Sequence, residues 1–290
     1  MIEFQSVSKK FQRRAVLDAI DLSLDQGSRV ALVGSNGAGK TTLIRCLLGE
    51  YTCAGTVRVD GLDPRSNRRA VLGRVGFVPQ IPPPLKIPVG ELIGFAAKVC
   101  DTEPARIEGV VEQLGLDMET IRRQPFVKLS GGQKQKLLIA IALGRDTDIL
   151  VMDEPAANLD PESRQVFFRL LSQRPDDTIM LMSSHRIDEV AALVNRVIEL
   201  DRGKIVLDDH VADNVDPSAI QDCSLTLSRH ESAFEKSLRD WGFGCADGPD
   251  KLIWKGRVAG PDRLRFLGMI SRYAGLVRQL NLKEAGVGDV

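Results

Sequence analysis

The sequence is short of the features that would place a chain across a membrane, in an oxidising compartment or on nucleic acid. No apolar run approaches the ~18 residues of a spanning helix. The start Met1-Ile2-Glu3-Phe4 has no basic stretch followed by an apolar core. Neither a spanning segment nor a secretion leader is therefore expected. Its 39 basic and 39 acidic side chains leave a net charge of zero, which removes the basic field that would argue for nucleic acid. The five cysteines (Cys46, Cys53, Cys100, Cys223 and Cys245) are odd in number and contain no C-x-x-C pair. That pattern fits neither a disulfide framework nor a zinc site, so reduced thiols are expected, with Cys46 and Cys53 as packing residues. Internal repeats and low-complexity tracts are also missing. What remains is an ordinary globular composition, 43% hydrophobic and 27% charged over 290 residues, enough for one medium domain with a smaller appendage.

Against this background one stretch carries chemistry. Gly34-Ser35-Asn36-Gly37-Ala38-Gly39-Lys40-Thr41-Thr42 has the spacing G-x-x-x-x-G-K-[ST] and follows the apolar run Val30-Ala31-Leu32-Val33, which reads as a buried parallel strand. The glycines let successive backbone N–H groups turn inward around a phosphate chain, and a helix beginning near Gly39 adds the positive end of its dipole. Lys40 would reach the β- and γ-phosphates, and the Thr41 hydroxyl suits Mg²⁺. A glycine-rich surface turn needs neither the Lys-Thr pair nor the strand.

A second apolar strand, Ile149-Leu150-Val151-Met152, delivers Asp153-Glu154-Pro155. Adjacent strand residues point to opposite sides, so the two acids can divide the work: Asp153 supporting the Mg²⁺ shell near Thr41, Glu154 polarising an attacking water at the γ-phosphate. Asp-Glu-Pro is also a common strand-ending turn, and it is the upstream phosphate loop that favours the catalytic reading.

Elsewhere the pattern is mixed. Residues 2–7 and 19–24 alternate as half-exposed antiparallel strands, and 56–59 and 75–78 read as further strands. Ile81-Pro82-Pro83-Pro84 must be loop, after which helical spacing over 89–99 and 104–114 marks a helical insertion at about 82–144. The run 178–182 is another buried strand, and 196–200 with 204–207 form a hairpin. A polar linker is expected over 211–222. Beyond it the order strand, helix, hairpin (about 251–258), helix (261–273), strand suggests a small α+β domain of ferredoxin-like kind over 223–290.

Leu129-Ser130-Gly131-Gly132-Gln133 precedes a long helical run. Taken alone it is a helix cap. Set beside the phosphate loop and Asp153-Glu154, it makes residues 2–207 resemble an ATP-binding-cassette (ABC) transporter ATPase, whose motifs occur here in order. The resemblance implies an α/β P-loop NTPase core over 1–210, a mixed sheet with an antiparallel β subdomain and a helical subdomain. It also implies ATP and Mg²⁺ as ligands and a signature at 129–133 that contacts the γ-phosphate held by a second ABC ATPase subunit, expected to be a second copy. Residue by residue, it places Phe11 on adenine, although a core phenylalanine would look the same. It makes Gln80 a Mg²⁺ ligand that senses the membrane subunit, Asp160 part of the dimer-interface loop or simply a cap to Pro161, and His185 the switch contacting the γ-phosphate. Asn158 and Lys136 depart from commoner family residues without removing required chemistry.

The implied partners are integral membrane permease subunits, with no nucleic acid. The implied location is cytoplasmic and peripheral, on the inner face of the membrane. A single cassette with a small C-terminal domain resembles bacterial export-type ATPases, including those of metalloenzyme maturation and copper-enzyme assembly. Two other classes stay open: a soluble ABC-type ATPase acting on nucleic acid or a protein complex, and a nucleotide-gated regulatory module.

Overall fold

The computed structural model describes residues 1–12, 14–184, 190–210, 220–246, 252–259, 266, 269, 270 and 273–284. They form two compact units, the first running to Ser184 and again from Leu193 to His210, the second holding the residues from Ile220 onward.

In the first unit β1 (Ile2–Phe11) and β2 (Arg14–Leu24) pair antiparallel. Their inside/outside alternation shifts phase at Ser6 and Ala19, both with positive φ. These bulges are held by side-chain acceptors: the Ser6 N–H donates to Asp21 Oδ1 at 2.7 Å, and the Ala19 N–H to Ser8 Oγ at 2.8 Å. The extra residue flips the phase and keeps Val7 and Ile20 buried.

Next come β3 (Arg29–Val33), α1 (Lys40–Leu47), β4 (Ala54–Val59), α2 (Arg68–Arg74) and β5 (Val75–Val78). The helical insertion supplies α3 (Val89–Val99), α4 (Pro104–Gln113), α5 (Met118–Ile121) and α6 (Gly131–Leu143). The unit ends with β6 (Ile149–Asp153), α7 (Pro161–Ser172), β7 (Ile179–Ser183), β8 (Arg196–Asp201) and β9 (Lys204–His210).

One sheet has the order β2-β1-β4 and the other β5-β6-β7-β3-β8-β9. The second is parallel except for the β8–β9 hairpin. Every residue of β6 and β7 is buried, as strands covered on both faces require. A single core joins the sheets through α1, whose Leu43, Ile44 and Leu47 pack with Phe4, Leu24, Leu32, Val151 and Leu181. The parallel strands end on one edge, so the segments after β3, β5 and β6 converge there.

The second unit contains β10 (Ile220–Leu227), α8 (Ser232–Asp240), β11 (Gly244–Cys245), β12 (Ile253–Ala259) and β13 (Val277–Glu284). Its antiparallel sheet has the order β11-β12-β10-β13. The core is aromatic: Phe243 stacks on Phe266 at 5.0 Å, beside the buried Trp254 and Phe234. A Cβ on Gly256 would lie 2.5 Å from the Phe243 ring, so only glycine fits there.

Two expectations are corrected. Residues 220–222, expected in the linker, open β10, because Ile220 and Gln221 pair with Ala259 and Val258. The hairpin expected at about 251–258 has Gly244–Cys245 as its first arm. The rest of the expected linker and most of the helix expected at 261–273 lie outside the described residues.

Candidate nucleotide site

The loop after β3 is shaped by glycines that no other residue could replace. Gly34 has φ +145, and a Cβ there would sit 2.2 Å from the Leu200 carbonyl oxygen; Gly39 has φ +116, with Leu17 Cδ2 and the Val16 carbonyl oxygen each at 2.9 Å. Ala38 ties the loop down. Its N–H donates to the Ser35 carbonyl at 3.1 Å and its own carbonyl accepts from the Gly203 N–H at 2.9 Å. Lys40, only 6% exposed, folds over the loop and donates from Nζ to the Gly34 and Ser35 carbonyls at 2.6 and 3.2 Å.

A cavity of about 310 Å³ opens above this loop. Asn36, Gly37, Gly39, Lys40, Thr41 and Thr42 line one side, with Gln80, Glu154 and Val16 completing it. The structure thus brings together the loop, Gln80 two residues after β5, and Glu154 directly after β6. Asp153 is buried beside it, 2% exposed, and accepts from Ser183 Oγ at 2.6 Å. The same oxygen accepts the Glu154 N–H at 2.9 Å. Glu154 itself has φ +48, a left-handed conformation uncommon for a residue with a side chain.

Phe11 lies outside that lining at the end of β1 and is 41% exposed, so it is not a core phenylalanine. Its ring meets Tyr51 edge-on at 5.3 Å, and Lys9 Nζ stands 4.9 Å from its centre. Tyr51 is tied to α1 by Arg45 Nη1, which donates to its hydroxyl at 2.9 Å.

Ser130 caps α6 reciprocally. Its Oγ accepts the Gln133 N–H at 3.2 Å, while Gln133 Oε1 accepts the Ser130 N–H at 2.9 Å. A Cβ on Gly132 would stand 3.1 Å from the Asn158 carbonyl oxygen, and one on Gly131 would meet nothing within 4 Å. None of 129–133 lines the phosphate-loop cavity. Asp160 caps α7, accepting the Ser163 N–H at 2.9 Å and hydroxyl at 2.7 Å, and pairs with Lys136 Nζ at 3.0 Å. The Ser163 N–H first, then its hydroxyl and Lys136, hold the Asp160 carboxyl well below the usual range. His185 lies outside the described residues.

A glycine-shaped loop at a helix start with a buried ammonium suits a polyphosphate, and an adjacent carboxylate suits activation of water. Comparison with known proteins agrees. Residues 17–157 match the family described as ABC transporter. The glutamine transport ATP-binding protein GlnQ of Escherichia coli (strain K12) is 34% identical over 221 residues, covering 72% of this chain and 90% of that one. The chain belongs to the ABC transporter ATP-binding subunits.

A Nod factor export ATP-binding protein I of Burkholderia lata is 28% identical over 290 residues, covering 92% of each chain. The fold matches that of the dimeric ABC transporter cassette MJ0796 with a TM-score of 0.64 at 23% identity, over 73% of this chain and 99% of that one. As a member of this family the chain is an ATPase. Sequence reasoning missed two residues at this cavity: Val16, which lines it, and Ser183, which bonds to Asp153 and Glu154 behind it. Val16 carries no signal, being an unremarkable residue of an alternating strand. Ser183 does: a small polar residue closes the otherwise apolar run 179–182.

Proposed function

We propose that this ABC ATPase binds ATP with Mg²⁺ between two copies arranged head to tail and uses hydrolysis to drive a separate membrane permease. One observation carries the reading. The phosphate-loop cavity is lined by Lys40, Thr41, Gln80 and Glu154 and by no residue of the signature, which supports a site that the signature of a second copy completes.

The residues fit the ligand. An ammonium 6% exposed and held by two neutral carbonyls needs an anion to balance its charge. Lys40 and the loop amides would bind the β- and γ-phosphates, and the ring of Phe11, open to solvent, would stack on adenine. Thr41, Gln80 and Asp153 would hold Mg²⁺, which when bound neutralises phosphate charge. Glu154, facing the cavity from the end of β6, would take the proton of the attacking water. The Ser130 end of α6, with its glycine amides, would meet the γ-phosphate of the opposite copy, whereas His185 would contact the γ-phosphate held by the phosphate loop of its own copy.

Among the described residues no helix is long and apolar enough to cross a membrane; the permease is proposed as a separate partner. Exposed apolar side chains at Ile81 (75%), Phe95 (64%) and Val99 (65%) on and after the Pro-rich loop support a docking surface there. Alignment with an exporter's ATP-binding protein over 92% of the chain supports export as the direction. The sheet order β11-β12-β10-β13 supports a ferredoxin-like C-terminal domain.

The test is Glu154→Gln, a change of one atom that removes the base. Bound ATP, a stable two-copy species by light scattering and turnover lowered by ~10³-fold or more are expected. Unchanged turnover, or a monomer in saturating ATP, would defeat the proposal.

A further inference from the structure

Ser183 closes β7, is fully buried, and stands opposite Asp153 in parallel register. A hydroxyl can donate once and accept at its lone pairs, and this one does both toward the two acids of the site. It donates to Asp153 Oδ1 at 2.6 Å and accepts the Glu154 N–H at 2.9 Å. The first distance is that of a charge-assisted hydrogen bond. The second fixes the peptide plane between Asp153 and Glu154, where the chain leaves the strand and turns left-handed at φ +48. Such a conformation persists where its surroundings hold it, and the Ser183 hydroxyl is a direct hold on that peptide.

We infer that Ser183 is a positioning residue for hydrolysis: one buried hydroxyl locks the Asp153 carboxylate and the turn at Glu154 into a single unit that aims Glu154 into the phosphate-loop cavity. The inference rests on the assignment of Glu154 as the base. It goes beyond that assignment by explaining what sets the direction of the base, and by making the strand that leads to His185 part of the same unit. A hydroxyl serving only to fill the strand's end would affect stability alone. One that aims Glu154 and orients Asp153 affects the chemical step and the Mg²⁺ requirement while leaving nucleotide affinity intact.

The experiment uses the full chain with ATP and Mg²⁺, comparing wild type, Ser183→Ala, Ser183→Thr and Glu154→Gln. Ser183→Ala is expected to lower kcat by roughly 10–100-fold, the loss typical of removing an outer partner of a site. KM for ATP should stay unchanged, the Mg²⁺ concentration for half-maximal rate should rise, and Ser183→Thr, which keeps the hydroxyl, should recover most of kcat. Direct ATP binding reports whether each variant is folded. Ser183→Ala with wild-type kcat, or with kcat lost only in proportion to ATP binding, overturns the inference. Glu154→Gln separates the two claims. If it abolishes turnover while Ser183→Ala does not matter, the base stands and the positioning role falls. If it turns over normally, the base assignment itself falls.

Discussion

Within the phosphate loop the glycines are not equivalent, although the motif prints them alike. A Cβ on Gly34 would lie 2.2 Å from a backbone carbonyl at φ +145, whereas one on Gly37, φ +83, would meet nothing within 4 Å. Backbone cannot yield as a side-chain tip does. Gly34→Ala should therefore cost about 3 kcal/mol or more and Gly37→Ala about 1 kcal/mol, the left-handed penalty alone. Urea unfolding midpoints of the two variants check the ranking, and equal midpoints would refute it. That a glycine-shaped loop joins a buried strand to a helix here was legible because the motif is local, nine successive residues behind a strand. Which glycine is locked was not, because the obstacle is Leu200, far along the chain. Ser183 was hidden for the same reason: its partners lie 29 and 30 positions away, across a strand pair. Burial pushes the Cys46 thiol up to about 12, in keeping with a packing role, and the Cys223 thiol to about 11.

At the scale of elements, helix starts are decided by a few polar side chains, and these can be tested by pH. Asp160 begins α7 with its carboxyl depressed by the Ser163 N–H and hydroxyl and by Lys136. A depressed folded value means a contribution fully present above the unfolded value near 4 and lost as pH falls through the folded one. Asn caps as well as Asp, so Asp160→Asn isolates the charge and its Lys136 partner. The variant's melting temperature should fall short of wild type at pH 7 and converge with it as pH drops below about 4. A gap that stays constant down to pH 3 would show that the charge contributes nothing. The long, strongly patterned elements were readable in advance: β6 and β7 from unbroken apolar runs, α6 from its Ser130 cap and the long helical run behind it. Helix α2 was not, since its seven residues bury only Val71 and leave no apolar stripe to detect. The start of β10 was missed because Gln221 and Asp222 look like linker, and only pairing with β12 and β13 makes them strand.

For the whole ATPase, a proposed docking surface matters only if displacement there reaches the nucleotide, and a backbone route exists. The prolines of the 81–88 loop lack N–H donors, but the loop's carbonyls accept. Val127 donates to Leu85 and Phe126 to Ile87, each at 2.9 Å, while Val89 and Gly90 donate to Gln124 and Arg122 at 2.9 Å. The strand-like bridge between Pro88 and Pro125 continues this pairing. Segment 122–127 leads within a few residues to Leu129, whose N–H donates to Phe126, and to the Ser130 cap of α6. Residues 85–90 and the approach to the signature are thus joined by one hydrogen-bonded ribbon. Ile87, 38% exposed, lies on that ribbon, and Ile81, 75% exposed, lies at the start of the loop before it; neither belongs to the core. Replacing both with serine should change stability by no more than about 0.5 kcal/mol, as for surface positions, and leave ATP binding and the basal turnover of the isolated protein unchanged. Recovery of permease subunits with the tagged chain from detergent-extracted membranes should fall sharply. If that recovery is unaffected, or if ATP binding is lost in step with it, the loop is not where the membrane partner docks.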